Sequence, residues 1–269
     1  MNSFHTSSWV ESFEKNGLHS FSLRELKSEL PNATEAAIKL SLNRLSNKGK
    51  ILSLHHGYYL IISPEYRSKG ILSPYTFIDG LMNFMERPYY LSLLNAATFH
   101  GASHQQPQTI SIMTNFPVLR PTIKKDVKIE YISTKEIPEK YLEKRKTQSG
   151  YLTISSPKLT MADLIHFQKR VGGMSRVATV LNELQEVIDI EKIDEDFIKI
   201  LAATTIQRMG YLFDLVLENK EIANKIYELS KQLSIKFFRI PLSTSHAEKG
   251  FSFNERWKII ENTQIEIDE

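Results

Sequence analysis

Residues 88–114, PYYLSLLNAATFHGASHQQPQTISIMT, change periodicity within themselves. Leu91, Leu94 and Thr98 fall on one helical face, with Tyr90, Leu93 and Ala97 beside it. The small residues Asn95, Ala96 and Ala97 let a neighbour pack closely. Gly101 stands where a helix ends on a left-handed residue. From Thr109 the period becomes two, with Ile110 and Ile112 on one side and Thr109 and Ser111 on the other. The loop between, Gly101 to Gln108, is dense in side-chain donors and acceptors. A helix that feeds a strand through a polar loop predicts an α+β fold.

Outward from this stretch, 269 residues leave room for two modest domains. Hydrophobic residues at 41% and charged residues at 24% describe a soluble globular chain. There is no bilayer-length apolar run and no signal-peptide profile, so a cytoplasmic location is expected. The sequence holds no cysteine, which excludes disulfides and thiol chemistry and argues against a zinc finger. The net charge of +3 sits at one end: residues 1–74 carry nine Lys/Arg and six Asp/Glu, and the rest twenty-five of each. That excess suits a nucleic-acid face and equally an ordinary solvated surface.

The N-terminal end reads as three helices and a hairpin. Ser8 to Lys15 is the first helix, and Phe21 opens a second. Ser22 and Glu25 have the spacing of a capping box, and Leu23, Leu26 and Leu30 face inward. Asn32 to Glu35 repeats the start signal for a third helix, to about Asn47, with Ile38, Leu42 and Leu45 inward. Its outward face is Ala36, Lys39, Asn43 and Ser46. Lys39 can hold phosphate and Asn43 can read a base edge; a plain solvated face is the other reading. Ile51–His55, the turn His56-Gly57, and Tyr58–Ile62 then make two strands. This order predicts a winged helix-turn-helix over residues 1–62. Arg24, Thr34, Lys39, Asn43, Arg44, Lys48, Lys50, His55 and His56 are its candidate DNA contacts. His55 and His56 alternate across a strand, which argues against a shared metal.

Residues 63–74 have linker composition, and a larger mixed α/β domain is expected over 75–269. It opens with an apolar helix, Tyr75 to Met85. Residues 119–146 are β-rich, with Val127, Ile129 and Tyr131 alternating against Lys128 and Glu130, and nine basic against five acidic residues. A basic face for DNA or an acidic partner, and edge lysines that block sheet-to-sheet aggregation, both fit. Gly150–Ser155 is a strand. A helix starts at Pro157, with Thr160 and Asp163 spaced as a cap. Helical patterns follow at Ser175–Val187, Asp194–Ala203, Thr205–Leu217 and Lys220–Leu233, and Asn254 onward reads as a closing strand on the domain's sheet.

The chain resembles the AbiEi family, the antitoxin and regulator half of bacterial type IV toxin–antitoxin pairs. Tyr89, Tyr90, Leu93, Ala96, Ala97, His100, Gly101, His104, Gln105, Pro107 and Gln108 fit the family's central pattern. Ser156, Thr160 and Asp163, the pair Gly172-Gly173, Gln207 to Leu212, and Asn254 to Ile260 fit further segments, and Leu42 to Leu45 with Gly49 to Ile51 and Gly57 to Tyr59 fit the winged helix. The resemblance implies a repressor of its own operon, binding double-stranded promoter DNA at inverted repeats. It implies an antitoxin acting against a nucleotidyltransferase-like toxin without a required stable complex, in phage defence by abortive infection. It implies no catalysis, cofactor, metal or membrane. His100, His104, Gln105, Gln108, Lys124, Lys125 and Lys128 are candidate antitoxin-surface residues.

The residues carry no phosphate-cradling glycine loop, nucleophile elbow or zinc-protease motif. The polar group around His100 and His104 has a potential base but no nucleophile, so a loop that fixes the helix-to-strand turn is the simpler reading. Asp126 to Glu130 holds the letters of a nuclease site without their order. An enzyme that processes or modifies nucleic acid, docking through a winged helix, remains the alternative function.

Overall fold

The structure is a computed structural model that describes residues 6–64, 72–103, 107–147 and 149–267. The chain divides into two compact units: Met1–Leu91 with Gln108–Glu139 and Glu143–Ile154, and Ser92–Pro107 with Lys140–Leu142 and Ser155–Glu269. The linker expected at 63–74 lies largely outside the described residues.

The first unit begins with α1 (Thr6–Lys15), β1 (Ser20–Ser22), α2 (Leu23–Glu29), α3 (Glu35–Asn47), β2 (Ile51–His55) and β3 (Tyr58–Ile61). The strands form an antiparallel sheet in the order β1-β3-β2. The capping box is present: Glu25 N donates to Ser22 Oγ at 3.1 Å, and Ser22 N donates to Glu25 Oε2 at 2.6 Å. The second helix therefore starts at Leu23, and the expected start at Phe21 is corrected. Phe21 lies in β1 opposite Tyr59, and their rings stack at 5.3 Å. A capping residue needs extended backbone, so the residues before it are free to pair as a strand. Trp9, Val10, Leu26, Ile38, Leu42 and Leu45 are buried together. Each such aliphatic side chain removed from water contributes about 1.5–3 kcal/mol, so the three inward residues of α3 are enough to fix which face looks out.

The apolar helix expected at Tyr75–Met85 is a single tight turn, Pro74–Thr76, followed by α4 (Ile78–Phe84). A six-stranded sheet follows: β4 (Tyr89–Leu91), β5 (Ile110–Asn115), β6 (Thr122–Lys124), β7 (Val127–Thr134), β8 (Leu142–Thr147) and β9 (Gly150–Ser155), in the order β6-β7-β5-β4-β9-β8. β5 runs parallel to β7 and antiparallel to β4. All three residues of β4 are buried, as expected of a strand covered on both faces. Here the reading of residues 88–114 is corrected. Tyr89, Tyr90 and Leu91 are strand, not helix, and only Leu93–Phe99 is helical. Ser92 is extended and Leu93 sits at φ 55°, so the helical face that joins Leu91 to Leu94 is broken. Gly101 takes the expected left-handed conformation at φ 80°.

The second unit holds α5 (Leu93–Phe99), α6 (Pro157–His166), α7 (Met174–Leu184), α8 (Glu195–Lys199), α9 (Ala203–Tyr211) and α10 (Lys220–Gln232). A π-helical turn, Leu212–Val216, continues α9. The expected closing strand is corrected to two, β11 (Phe253–Asn254) and β12 (Ile259–Ile260). With β10 (Ile240–Pro241) they form a separate small sheet. The break has a local cause: Asn254 Oδ1 accepts from Trp257 N at 2.9 Å and closes a turn. No helix among the described residues is long and apolar enough to cross a membrane.

Candidate functional site

In the first unit, α3 is set by Thr34, whose hydroxyl accepts from Ala37 N at 3.2 Å. That bond commits Thr34 to capping the helix. With Ile38, Leu42 and Leu45 inward, Lys39 and Asn43 share an exposed face, one turn apart. Arg44 and Lys48 make a second exposed row one turn apart, and Arg24 is exposed on α2. An ion pair between Lys27 and Glu35 ties the start of α3 to α2, and the Lys27 ammonium holds the Glu35 carboxyl below its ordinary range.

Lys50 differs from its basic neighbours. It is half-buried, and its Nζ lies 3.0 Å from Glu11 Oε1. The Lys50 hydrogen bond and charge hold the Glu11 carboxyl below its ordinary value. A phosphate would have to compete with that carboxylate. His55 and His56 are exposed at the β2–β3 turn, with His55 Nδ1 at 3.3 Å from the His56 carbonyl oxygen.

The antitoxin-surface candidates fall into both units. Lys124, Lys125 and Lys128 are exposed on or beside β6 and β7 in the first unit, as is Gln108 ahead of β5. His100 belongs to the second unit, and His104 and Gln105 lie outside the described residues. His100 Nε2 is 2.7 Å from the Ser155 carbonyl oxygen. A carbonyl only accepts, so Nε2 carries the proton and is not a base.

Around that contact runs a buried polar chain that links the segments flanking α5 and α6. Ser92 Oγ donates to Asp163 Oδ2 at 2.5 Å, and Ser155 Oγ and Thr160 Oγ1 are 2.6 Å apart. Ser92, Ser155 and Thr160 are fully buried. The cap expected from Thr160 and Asp163 is therefore corrected. Ser156 occupies the cap position without a side-chain cap bond, Pro157 follows it, and Thr160 bonds back to Ser155. Hydroxyls sealed from solvent hold backbone in place; they do not reach a substrate.

A second buried cluster was not legible as such in the sequence. Asp214, on the π-turn, accepts from Trp257 Nε1 at 2.8 Å, Arg256 Nη1 at 2.9 Å and Lys220 Nζ at 2.8 Å. Burial pushes this carboxyl up, but the Lys220 and Trp257 hydrogen bonds and the charges of Arg256 and Lys220 outweigh it and hold it below its ordinary value. Gln207 Nε2 donates to the Phe238 and Trp257 carbonyls at 2.6 and 2.8 Å. Arg208 donates to the Leu242 and Pro241 carbonyls at 3.1 and 2.8 Å. The segment Gln207 to Leu212 thus works as a clamp on the C-terminal strands.

Comparison with known proteins places these features. Residues 90–215 match the AbiEi antitoxin C-terminal domain. No functionally curated protein matches the chain. The fold is similar to the crystal structure of the RV2827C protein from Mycobacterium tuberculosis. The TM-score is 0.69 at 16% identity, over 94% of this chain and 90% of that one. The matched range contains Tyr90 and Leu91 of β4, the central polar loop, the buried Ser92–Asp163 pair and the Gln207–Leu212 clamp. Residues 90–215 are thus an AbiEi-type antitoxin C-terminal domain.

Proposed function

We propose that this protein is a DNA-binding repressor and type IV antitoxin. Residues 1–62 recognise its own promoter as a winged helix-turn-helix, and residues 75–269 counteract a nucleotidyltransferase-like toxin. The family match over 90–215 supports the antitoxin half. The DNA half rests on one observation: α3 buries Ile38, Leu42 and Leu45 and turns Lys39, Asn43, Arg44 and Lys48 to solvent, ahead of a strand hairpin. An exposed basic helix followed by a hairpin is how a recognition helix and wing are presented to the major groove and backbone. Duplex DNA with inverted repeats, placed between residues on this face and a second copy's, is the expected ligand. The protein works in the cytoplasm, without cofactor, metal or catalysis, and opposes the toxin without a required stable complex.

Two measurements on one promoter-and-toxin pair test the reading. Fluorescence anisotropy should give tighter binding to promoter DNA than to random duplex, weakening steeply with salt as phosphate contacts are lost. A fragment of residues 75–269 should rescue cells from the toxin while leaving the promoter unrepressed. Equal affinity for both DNAs refutes promoter recognition, and rescue by residues 1–62 alone refutes the division of labour.

A further inference from the structure

The first unit contains a cavity of about 220 Å³, lined by the α1–β1 turn, the start of α4 and the β8–β9 turn. Among the described residues its lining includes one carboxylate, Asp79, one histidine, His19, and no lysine or arginine. Asp79 is held by uncharged groups. Its Oδ1 accepts from the Tyr89 hydroxyl at 2.8 Å and its Oδ2 from Asn83 Nδ2 at 2.9 Å. Among the described residues no cation pairs with it. Hydrogen bonds of this kind fix the carboxylate in place without neutralising its charge. Nearby phenols feel that charge. Burial first, and then the charges of Glu25 and Asp79, push the Tyr58 hydroxyl up to about 12.

The remaining walls suit the same ligand. The aromatic residues Tyr75 and Tyr151 and the hydroxyl-bearing Ser20 and Thr76 line it. Aromatic rings and an oriented carboxylate attract an alkylammonium or guanidinium group and disfavour an anion. The volume holds a small molecule, below the usual range for drug-sized ligands. We propose that this cavity binds a small aliphatic amine or guanidinium compound, with the cationic group on Asp79 and the hydrocarbon against the tyrosines. The site is independent of the exposed faces of α3.

Isothermal titration of the full chain with putrescine, and with butanediol as its uncharged counterpart, tests this. Putrescine should bind saturably with one equivalent per chain, and butanediol should not. Asp79→Asn keeps an acceptor for the Tyr89 hydroxyl but removes the charge, and should weaken putrescine about tenfold or more, as loss of a charge-assisted hydrogen bond requires. Should that variant melt well below the parent, Tyr151→Ala takes its place; Tyr151 is 57% exposed and its removal should weaken binding without lowering the melting temperature. No saturable heat from putrescine at about 10 mM, equal binding of butanediol, or undiminished affinity in a folded variant each overturns the proposal.

Discussion

A Cβ atom placed on Gly210 would lie 2.0 Å from Cζ3 of Trp257, a fully buried ring. The indole lies directly on the backbone of α9, and only glycine leaves room for it. The same ring donates through Nε1 to Asp214, one turn further along. Two segments with family likeness, Gln207 to Leu212 and Asn254 to Ile260, are therefore the two halves of one contact. Their role in the fold is to seat the C-terminal strands on α9.

Gly210→Ala should be strongly destabilising, because neither the ring nor the helix backbone can move aside cheaply. Overpacking of this kind costs about 1–3 kcal/mol and sometimes more. Chemical denaturation should show the loss, and combining the change with Trp257→Leu should recover part of it. Additive losses in the double variant would mean that the two residues do not clash.

Asp214 gives the second unit an acid sensitivity. Its native carboxyl titrates below its unfolded value of 3.8. A depressed pKa contributes stability that is present above the unfolded value and is lost as pH falls through the native one. Thermal melts should therefore drop more steeply below about pH 4 in the parent than in Asp214→Asn. The variant should be less stable at pH 7, with Lys220 and Arg256 left without their carboxylate. Parallel pH profiles would remove Asp214 from the acid response.

Ser92→Ala tests the buried polar chain. Asp163 would lose its 2.5 Å donor in a site with almost no access to water. A buried acceptor left short of a partner costs about 1–3 kcal/mol. If the chain serves only the fold, toxin rescue should fall in proportion to the lost stability. Lost rescue at unchanged melting temperature would instead give Ser92 a direct part in the antitoxin activity.

How much of this was readable beforehand depended on whether the cause was local. The capping box of Ser22 and Glu25, the inward face of α3 and the helices from Ser175 to Leu233 follow from spacing, and the structure has them, except that the helix expected at Asp194–Ala203 is only Glu195–Lys199. Tyr89–Leu91 was misread because Leu91, Leu94 and Thr98 keep helical spacing. The break at Leu93 is a positive φ in a residue that carries no mark of it, two residues past the end of the strand that pairs with β5. Asp214 was illegible because its partners lie up to 43 residues away. Around the proposed DNA face, sequence supplied the basic residues but not the engagement of Lys50 with Glu11 or of Thr34 with its own helix.

That last difference separates residues that the sequence grouped together. Lys48 is exposed, and no ion pair to it occurs among the described residues. Lys48→Ala should reduce the salt slope of promoter binding by about 0.9, the value for one phosphate contact. Lys50→Ala should change it less, since its charge is already engaged. Lys39→Ala should weaken all duplexes alike, whereas Asn43→Ala should cost about 1–3 kcal/mol more on promoter than on random DNA. Equal losses on both DNAs would remove Asn43 from base reading, and a larger slope change for Lys50 than for Lys48 would mean that the Glu11 pair opens on DNA.

The N-terminal fold also reaches past the hairpin that ends at residue 62. Tyr58 of β3 donates its hydroxyl to Ser20 Oγ at 2.7 Å and lies 3.3 Å from the Phe77 carbonyl oxygen. Its ring sits 5.3 Å from that of Phe84 on α4. A fragment that stops at Ile62 exposes this side, whereas one that continues to Glu86 keeps α4 over it. Burying an aromatic side chain contributes about 1.5–3 kcal/mol. Residues 1–86 should therefore melt at higher temperature than residues 1–62, and Tyr58→Leu should narrow the gap, since both fragments lose the Ser20 bond but only the longer one also loses the Phe77 and Phe84 contacts. Both fragments should still bind promoter DNA, since α3 and the β2–β3 turn are common to them. Equal melting temperatures would make the hairpin the true end of the folding unit and leave α4 as a passive neighbour.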